Sequence, residues 1–387
     1  MDIRRFVRFA AGLALALGLL LAPLAAPALA GDASEEKAER VPILWEVQTK
    51  PPIYLFGTIH VADERVTTHP PVVLKALENS KALYTELDFA NMGGAEMVKH
   101  VIIPDGKSLG DIASPETMEK LKQVAERYEL PPMQMMQFQR LRPWLSAVQL
   151  PVLVNTKRKA EEVAKAAAAA KAAGETESET KPEAPGAEQA LDLQLYMGAK
   201  QAGKLVGGLE KPVEQFSIFN KITLEKQVEM LDESLDAILE LDKPSEGEGS
   251  GEEKVDPIEG LIRMYVKADL DGFYAMMQES MGDNAEMKAF MVELLDNRNI
   301  TMVRRMMEAA EKHPDKPMFV AVGAGHYPGK MGIIQLLEET GFRVRPLRNL
   351  EDMAKPWPKI GARETSSRAK PCCRPCCPPR PVAAPGY

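Results

Sequence analysis

Two stretches of the chain share one plan. "IYLFGTIH" at residues 53–60 and "MFVAVGAGH" at residues 318–326 each run through uncharged, mostly apolar residues. Each then passes a glycine and reaches a histidine three positions later. Such runs, rich in Val, Phe and Ile and bounded by turn residues, read as buried strands. After each histidine the pattern turns helical and then returns to a strand. Residues 72–80 and 82–87 follow the first turn; residues 331–340 and 342–347 follow the second. Strand, glycine turn with histidine, helix, strand is the order of a βαβ-like unit. The pattern therefore predicts an α/β fold (mixed α+β) of two pseudo-repeated βαβ-like halves. These form a central sheet flanked by helices.

The remaining sequence divides around these halves. "VPILWEVQTKPPIYLFGTIH" reads as two strands joined by a turn at Lys50-Pro51-Pro52. Residues 191–201 read as helix, 204–209 as strand, and Pro212 opens another helix. Residues 258–312 form a helical region whose methionines, Met264, Met276, Met277 and Met291, read as core filler. Two segments have no periodicity. Residues 157–190 are rich in Ala and Lys and then in Glu, Thr and Pro, so that only the first half suits a solvated helix. Residues 243–257 are acidic and rich in Gly and Ser. Both read as insertions into surface connections, where added length costs little. One domain is thus expected over residues 42–353, with a polar leader at 31–41 and a disordered Pro/Arg/Cys tail at 354–387.

Residues 1–30 carry Arg4, Arg5 and Arg8, then an apolar run, then Ala28-Leu29-Ala30. That is the plan of a secretory signal peptide, and its apolar core is short for a membrane span. The expected location is secreted or periplasmic, in the cell envelope. An uncleaved signal would hold the chain at a membrane. The cysteines are Cys372, Cys373, Cys376 and Cys377, all in the tail, so the body has no disulfide. Export without body disulfides suits a bacterial envelope protein. The net charge of −8 argues against a nucleic-acid partner, because neutralising phosphates needs a basic surface. The chain shows no G-x-S-x-G elbow, no H-E-x-x-H pair and no phosphate loop.

The two turns carry the candidate chemistry. Glycine allows a sharp turn without a Cβ clash. The histidine then lies at the carboxyl edge of the sheet, where α/β folds keep their sites. His60 and His326 could share one transition-metal ion. The other histidines, His69, His100 and His313, have ordinary surface readings. A third ligand or general base would be a carboxylate at a neighbouring strand end. Glu86 in "ALYTELDF" is the first candidate; Asp88 and Glu210 follow. The plain alternative for Glu86 is a strand-end residue paired with an arginine.

Six motifs in order carry a resemblance: "LFGTIHVAD", "ELDF", "RLRPWLSA", "LDLQLYMGAKQAGKLVGGLEKPVEQ", "NRNITM" and "FVAVGAGHYPGKMGIIQLLEETGFRV". Together they resemble the TraB/PrgY/GumN family, which is similar to the Tiki metalloproteases and, more remotely, to the ChaN and erythromycin-esterase folds. The resemblance covers residues 41–348 apart from the two insertions. It implies that His60, His326 and Glu86 are metal or catalytic residues. It implies that Arg298, in "NRN", helps to hold substrate or the site carboxylate. The implied cofactor is a divalent metal, Mn, Co or Zn, and the implied activity is hydrolysis of a peptide or protein substrate. The pheromone-shutdown branch implies the alternative of a protein that binds or sequesters peptides without cutting them. Tyr327 stands where the family has leucine after the second histidine.

Overall fold

The computed structural model describes residues 40–59, 61, 63–91, 95–172, 191–241, 257–281 and 285–358. The predicted signal segment and leader, His60, most of both predicted insertions and nearly all of the predicted tail lie outside the described residues. Six strands form one sheet: β1 Leu44–Val47, β2 Ile53–Thr58, β3 Ala82–Leu87, β4 Leu205–Glu210, β5 Met318–Gly323 and β6 Val344–Pro346. Their order across the sheet is β4-β3-β5-β2-β1-β6. β2, β5, β3 and β4 run parallel, and β1 is antiparallel to both β2 and β6. The sheet is mixed and flanked by helices, as the sequence pattern leads one to expect.

The two G-x-x-H strands are neighbours. β2 and β5 pair in parallel from Ile53 opposite Met318 to Thr58 opposite Gly323. The two strand–helix–strand units therefore interleave at the centre of the sheet. From β2 the chain crosses β5 to reach β3; from β5 it crosses β2 and β1 to reach β6.

Burial explains the unbroken apolar runs. Side chains alternate between the faces of a sheet. Tyr54, Phe56, Phe319 and Ala321 pack on one face with Val73 of helix Pro71–Asn79, Leu195 of helix Leu191–Gln201 and Ile262 of helix Pro257–Val266. Ile53, Leu55, Val320 and Val322 pack on the other with Met302 and Met306 of helix Asn297–Lys312 and Leu337 of helix Ile333–Glu339. Central parallel strands covered on both faces cannot alternate apolar with polar. A third core lies in the helical middle region, where Trp144, Phe219 and Leu231 meet; Met277 and Met291 belong to it, as filler. Helix Pro143–Ala172 runs on through the Ala/Lys half of the first insertion.

His69 departs from its surface reading. Its ring packs edge-on against Phe56 at 5.7 Å, on the apolar side of the sheet. Burial, with the nearby charge of Arg40, pushes its pKa down to about 4. An unfolded chain takes up this proton below about pH 6.5, whereas the folded chain resists until about pH 4. The neutral ring's contribution is therefore fully present above pH 6.5 and lost as pH falls through that window. The loss is about 3 kcal/mol between pH 7 and pH 4. In His69→Gln the difference in urea-unfolding free energy between these two pH values is expected to shrink by roughly that amount. An unchanged difference would show that the imidazole is solvated.

Candidate active site at the carboxyl edge of the sheet

Parallel strands bring their carboxyl ends to one edge, and four of them end here together: β2, β3, β4 and β5. Glu86 is the penultimate residue of β3, and Glu210 is the last of β4. His326 follows β5 in a short 3₁₀ turn, Ala324–His326. All three side chains are buried. The glycines of the two motifs serve space rather than turning, because neither lies in the left-handed region. A Cβ on Gly57 would come within 2.3 Å of the Ile43 side chain. Gly323 gives its backbone N–H to Glu86 Oε1 at 2.7 Å. The turning role expected from sequence gives way at both glycines to close approach.

Helix Asn297–Lys312 supplies the cation of the site. Arg298, itself buried, donates from Nη2 to Glu86 Oε2 at 2.5 Å and to Glu210 Oε2 at 2.7 Å. Its Nε donates to the Glu210 oxygens at 3.0 and 2.9 Å, and its Nη1 to the Leu294 carbonyl at 3.1 Å. Glu86 thus has the arginine partner of its plain reading. Of the two roles implied for Arg298, the geometry shows it holding carboxylates. The segment before it, Val292–Asp296, is a π-helical turn. Such turns shift helical register and recur at functional sites. Here two successive side chains, Arg298 and Asn299, are both buried toward the site.

Asn299 and Gln215 complete the polar ring. Asn299 Oδ1 lies 2.6 Å from His326 Nδ1, and Asn299 Nδ2 donates to the Met331 carbonyl at 2.8 Å. Gln215, in helix Pro212–Asn220, donates to Glu86 Oε2 at 3.4 Å. His326 Nε2 faces Glu86 Oε1 at 3.6 Å.

The electrostatics of this cluster are unbalanced. Burial disfavours the Arg298 charge, but Glu210 and then Glu86 outweigh it and hold the guanidinium pKa above its ordinary value. Arg298 therefore stays charged. Burial raises the Glu210 carboxyl above the usual range, with Arg298 opposing. Two carboxyl groups share one guanidinium in a buried place, so ionisation of both would call for a further cation.

Other predicted residues have different settings. Asp88 accepts from Tyr196 Oη at 2.6 Å and from the Ala90 N–H at 3.1 Å. Asp192, not singled out from the sequence, is buried and accepts from Thr58 Oγ1 at 2.7 Å, at the end of β2. A signal for it existed: an acidic residue on the same helix face as Leu191, Leu195, Tyr196 and Ala199, all of them buried. Asn299 was equally missed, although it stands beside Arg298 in "NRN". Among the described residues no three His, Cys, Asp or Glu side chains converge as an ion-binding group. None of the described helices is long and apolar enough to cross a membrane.

Comparison with known proteins finds relatives over most of the chain. The chain is similar to Metalloprotease TIKI2 of Xenopus tropicalis, 27% identical over 320 residues, covering 78% of this chain and 59% of the relative. It is similar to Metalloprotease TIKI1 of Danio rerio, 27% identical over 318 residues, covering 78% of this chain and 62% of the relative. Metalloprotease TIKI1 of Homo sapiens is 26% identical over 352 residues, covering 86% of this chain and 66% of the relative. The chain thus spans less than two thirds of the length of these relatives. No solved structure matches it. The TraB/PrgY/gumN family model matches residues 43–346, which contain the whole sheet and every side chain of the cluster, and the chain belongs to that family.

Proposed function

We propose that the protein is an envelope or secreted metal-dependent hydrolase that cleaves a peptide or protein substrate. The observation that carries the reading is the buried Glu86–Arg298–Glu210 cluster, whose Glu86 Oε1 faces His326 Nε2 at 3.6 Å. A nitrogen and a carboxylate oxygen at this separation suit ligation of one ion, since bonds of about 2.0–2.2 Å to each span up to roughly 4 Å. The donor set, imidazole plus carboxylate, suits Zn, Mn or Co. His326, Glu86 and His60 would hold the ion. His60 is assigned here from the sequence motif, two positions beyond Thr58, the residue paired with Gly323. A divalent ion supplies polarisation of a peptide carbonyl and activation of water.

The chain's own groups have distinct tasks. Arg298 fixes the Glu86 carboxylate by a charge-assisted bond, and the Gly323 N–H fixes its other oxygen. Glu86 Oε1 faces His326, and Glu86 would serve there either as a ligand of the ion or as the base that accepts a proton from water. Glu210 takes most of the Arg298 fork, which leaves Glu86 the more available carboxylate. The names of the relatives support the reaction class, and residues 1–30 support the location.

Purified protein loaded with Mn²⁺, Co²⁺ or Zn²⁺ and offered a peptide library is expected to release new amino termini, and chelation should stop it. Saturable peptide binding without cleavage under every metal would replace this reading with peptide sequestration.

A further inference from the structure

We propose that Asn299 is a positioning residue that holds the His326 imidazole in its Nδ1–H tautomer and so presents Nε2 as a lone pair toward Glu86. The assignment follows from a chain of hydrogen bonds. The Met331 carbonyl can only accept, so the Asn299 atom 2.8 Å from it must be the NH₂ group. The other end of the amide is then its oxygen, which can only accept as well. That oxygen lies 2.6 Å from His326 Nδ1, so Nδ1 must carry the proton. In the neutral ring the remaining nitrogen, Nε2, has no proton. It faces Glu86 Oε1, another acceptor, at 3.6 Å. Two facing lone pairs are tolerated in a buried site when a cation lies between them. Without Asn299 the proton has a better place on Nε2, where it can reach Glu86.

Asn299 therefore chooses between a site open to a cation and one closed by an internal hydrogen bond. Both Asn299 and His326 are buried, so water does not substitute freely for the amide. The consequence for metal rests on the function proposed above; the tautomer does not.

The test uses full-length, metal-free protein labelled with ¹⁵N-histidine at pH 8, and the chain's five histidines keep the spectrum simple. Long-range ¹H–¹⁵N correlations report which nitrogen of each ring is protonated. His326 is expected to carry its proton on Nδ1 in the wild type and in Asn299→Asp, which keeps the acceptor. In Asn299→Leu it is expected on Nε2. Co²⁺ titration should then show affinity reduced 10- to 100-fold in Asn299→Leu, the usual cost of losing a ligand's supporting partner, and less in Asn299→Asp. A wild-type proton on Nε2, or Nδ1–H retained in Asn299→Leu, would overturn the proposal. The wild-type spectrum decides it even if the leucine variant fails to fold. The expected tautomers with no Co²⁺ binding to the wild type would leave Asn299 assigned and retire the metal reading.

Discussion

Arg298→Met is expected to destabilise the protein by about 3–5 kcal/mol, the cost of leaving buried carboxylates without their cation. The side chain is 4% exposed and binds two carboxylates that are themselves 4% and 3% exposed. A pair of such charges is not a large net source of stability, because both partners lose hydration on folding. Removing only the cation is different: Glu86 and Glu210 would face each other with no compensating charge. The thermal midpoint should fall by roughly 5–15 °C for a body of this size. Adding Glu210→Gln should recover part of the loss, since one stranded carboxylate disappears. A loss below about 1 kcal/mol would show that water reaches the cluster and that Arg298 is not its electrostatic centre. This outcome also separates the two roles implied for Arg298, because a substrate-binding arginine would change affinity with little cost in stability.

His326→Gln is expected to weaken binding of Mn²⁺, Co²⁺ or Zn²⁺ by at least about 100-fold, beyond what loss of a supporting partner usually costs. Glutamine keeps much of the bulk of a side chain that is fully buried, so the fold should persist with a reduced midpoint. The sequence suggests a smaller structural role, because a turn residue contributes little to a core. The structure places the ring between Asn299 and Glu86 instead, and truncation to alanine there would also open a cavity. Calorimetric titration of folded variant and wild type gives the comparison. Equal metal affinity would remove His326 from the proposed ligand set and with it the present account of the site.

Much of this site is legible in the chain because strands announce themselves by composition. The apolar runs before Gly57 and Gly323 read as buried strands, and because the two pair in parallel they end at one edge. Glu86 and Glu210 close strands in the same way, so local pattern alone places them beside that edge. Arg298 is different. It lies on a helix, outside any strand-end pattern, and only its likeness to a family motif drew attention to it. Asn299, Gln215 and Asp192 gave less signal still, since amides and acids on helices are ordinary solvent-facing residues.

By itself, then, the sequence determined the sheet class, the edge at which chemistry could gather, and the strand-borne residues that gather there. Those properties follow from near-neighbour periodicity, which a linear reading contains. The partners were decided by tertiary structure. Which carboxylate faces the imidazole, which takes the guanidinium fork and which nitrogen of His326 holds a proton all depend on contacts between residues far apart in the chain. Glu86 meets Arg298 across 212 positions and Gly323 across 237. Such contacts are set by how helices pack over the sheet, and a π-helical turn of five residues before Asn297 helps to set the one that matters most.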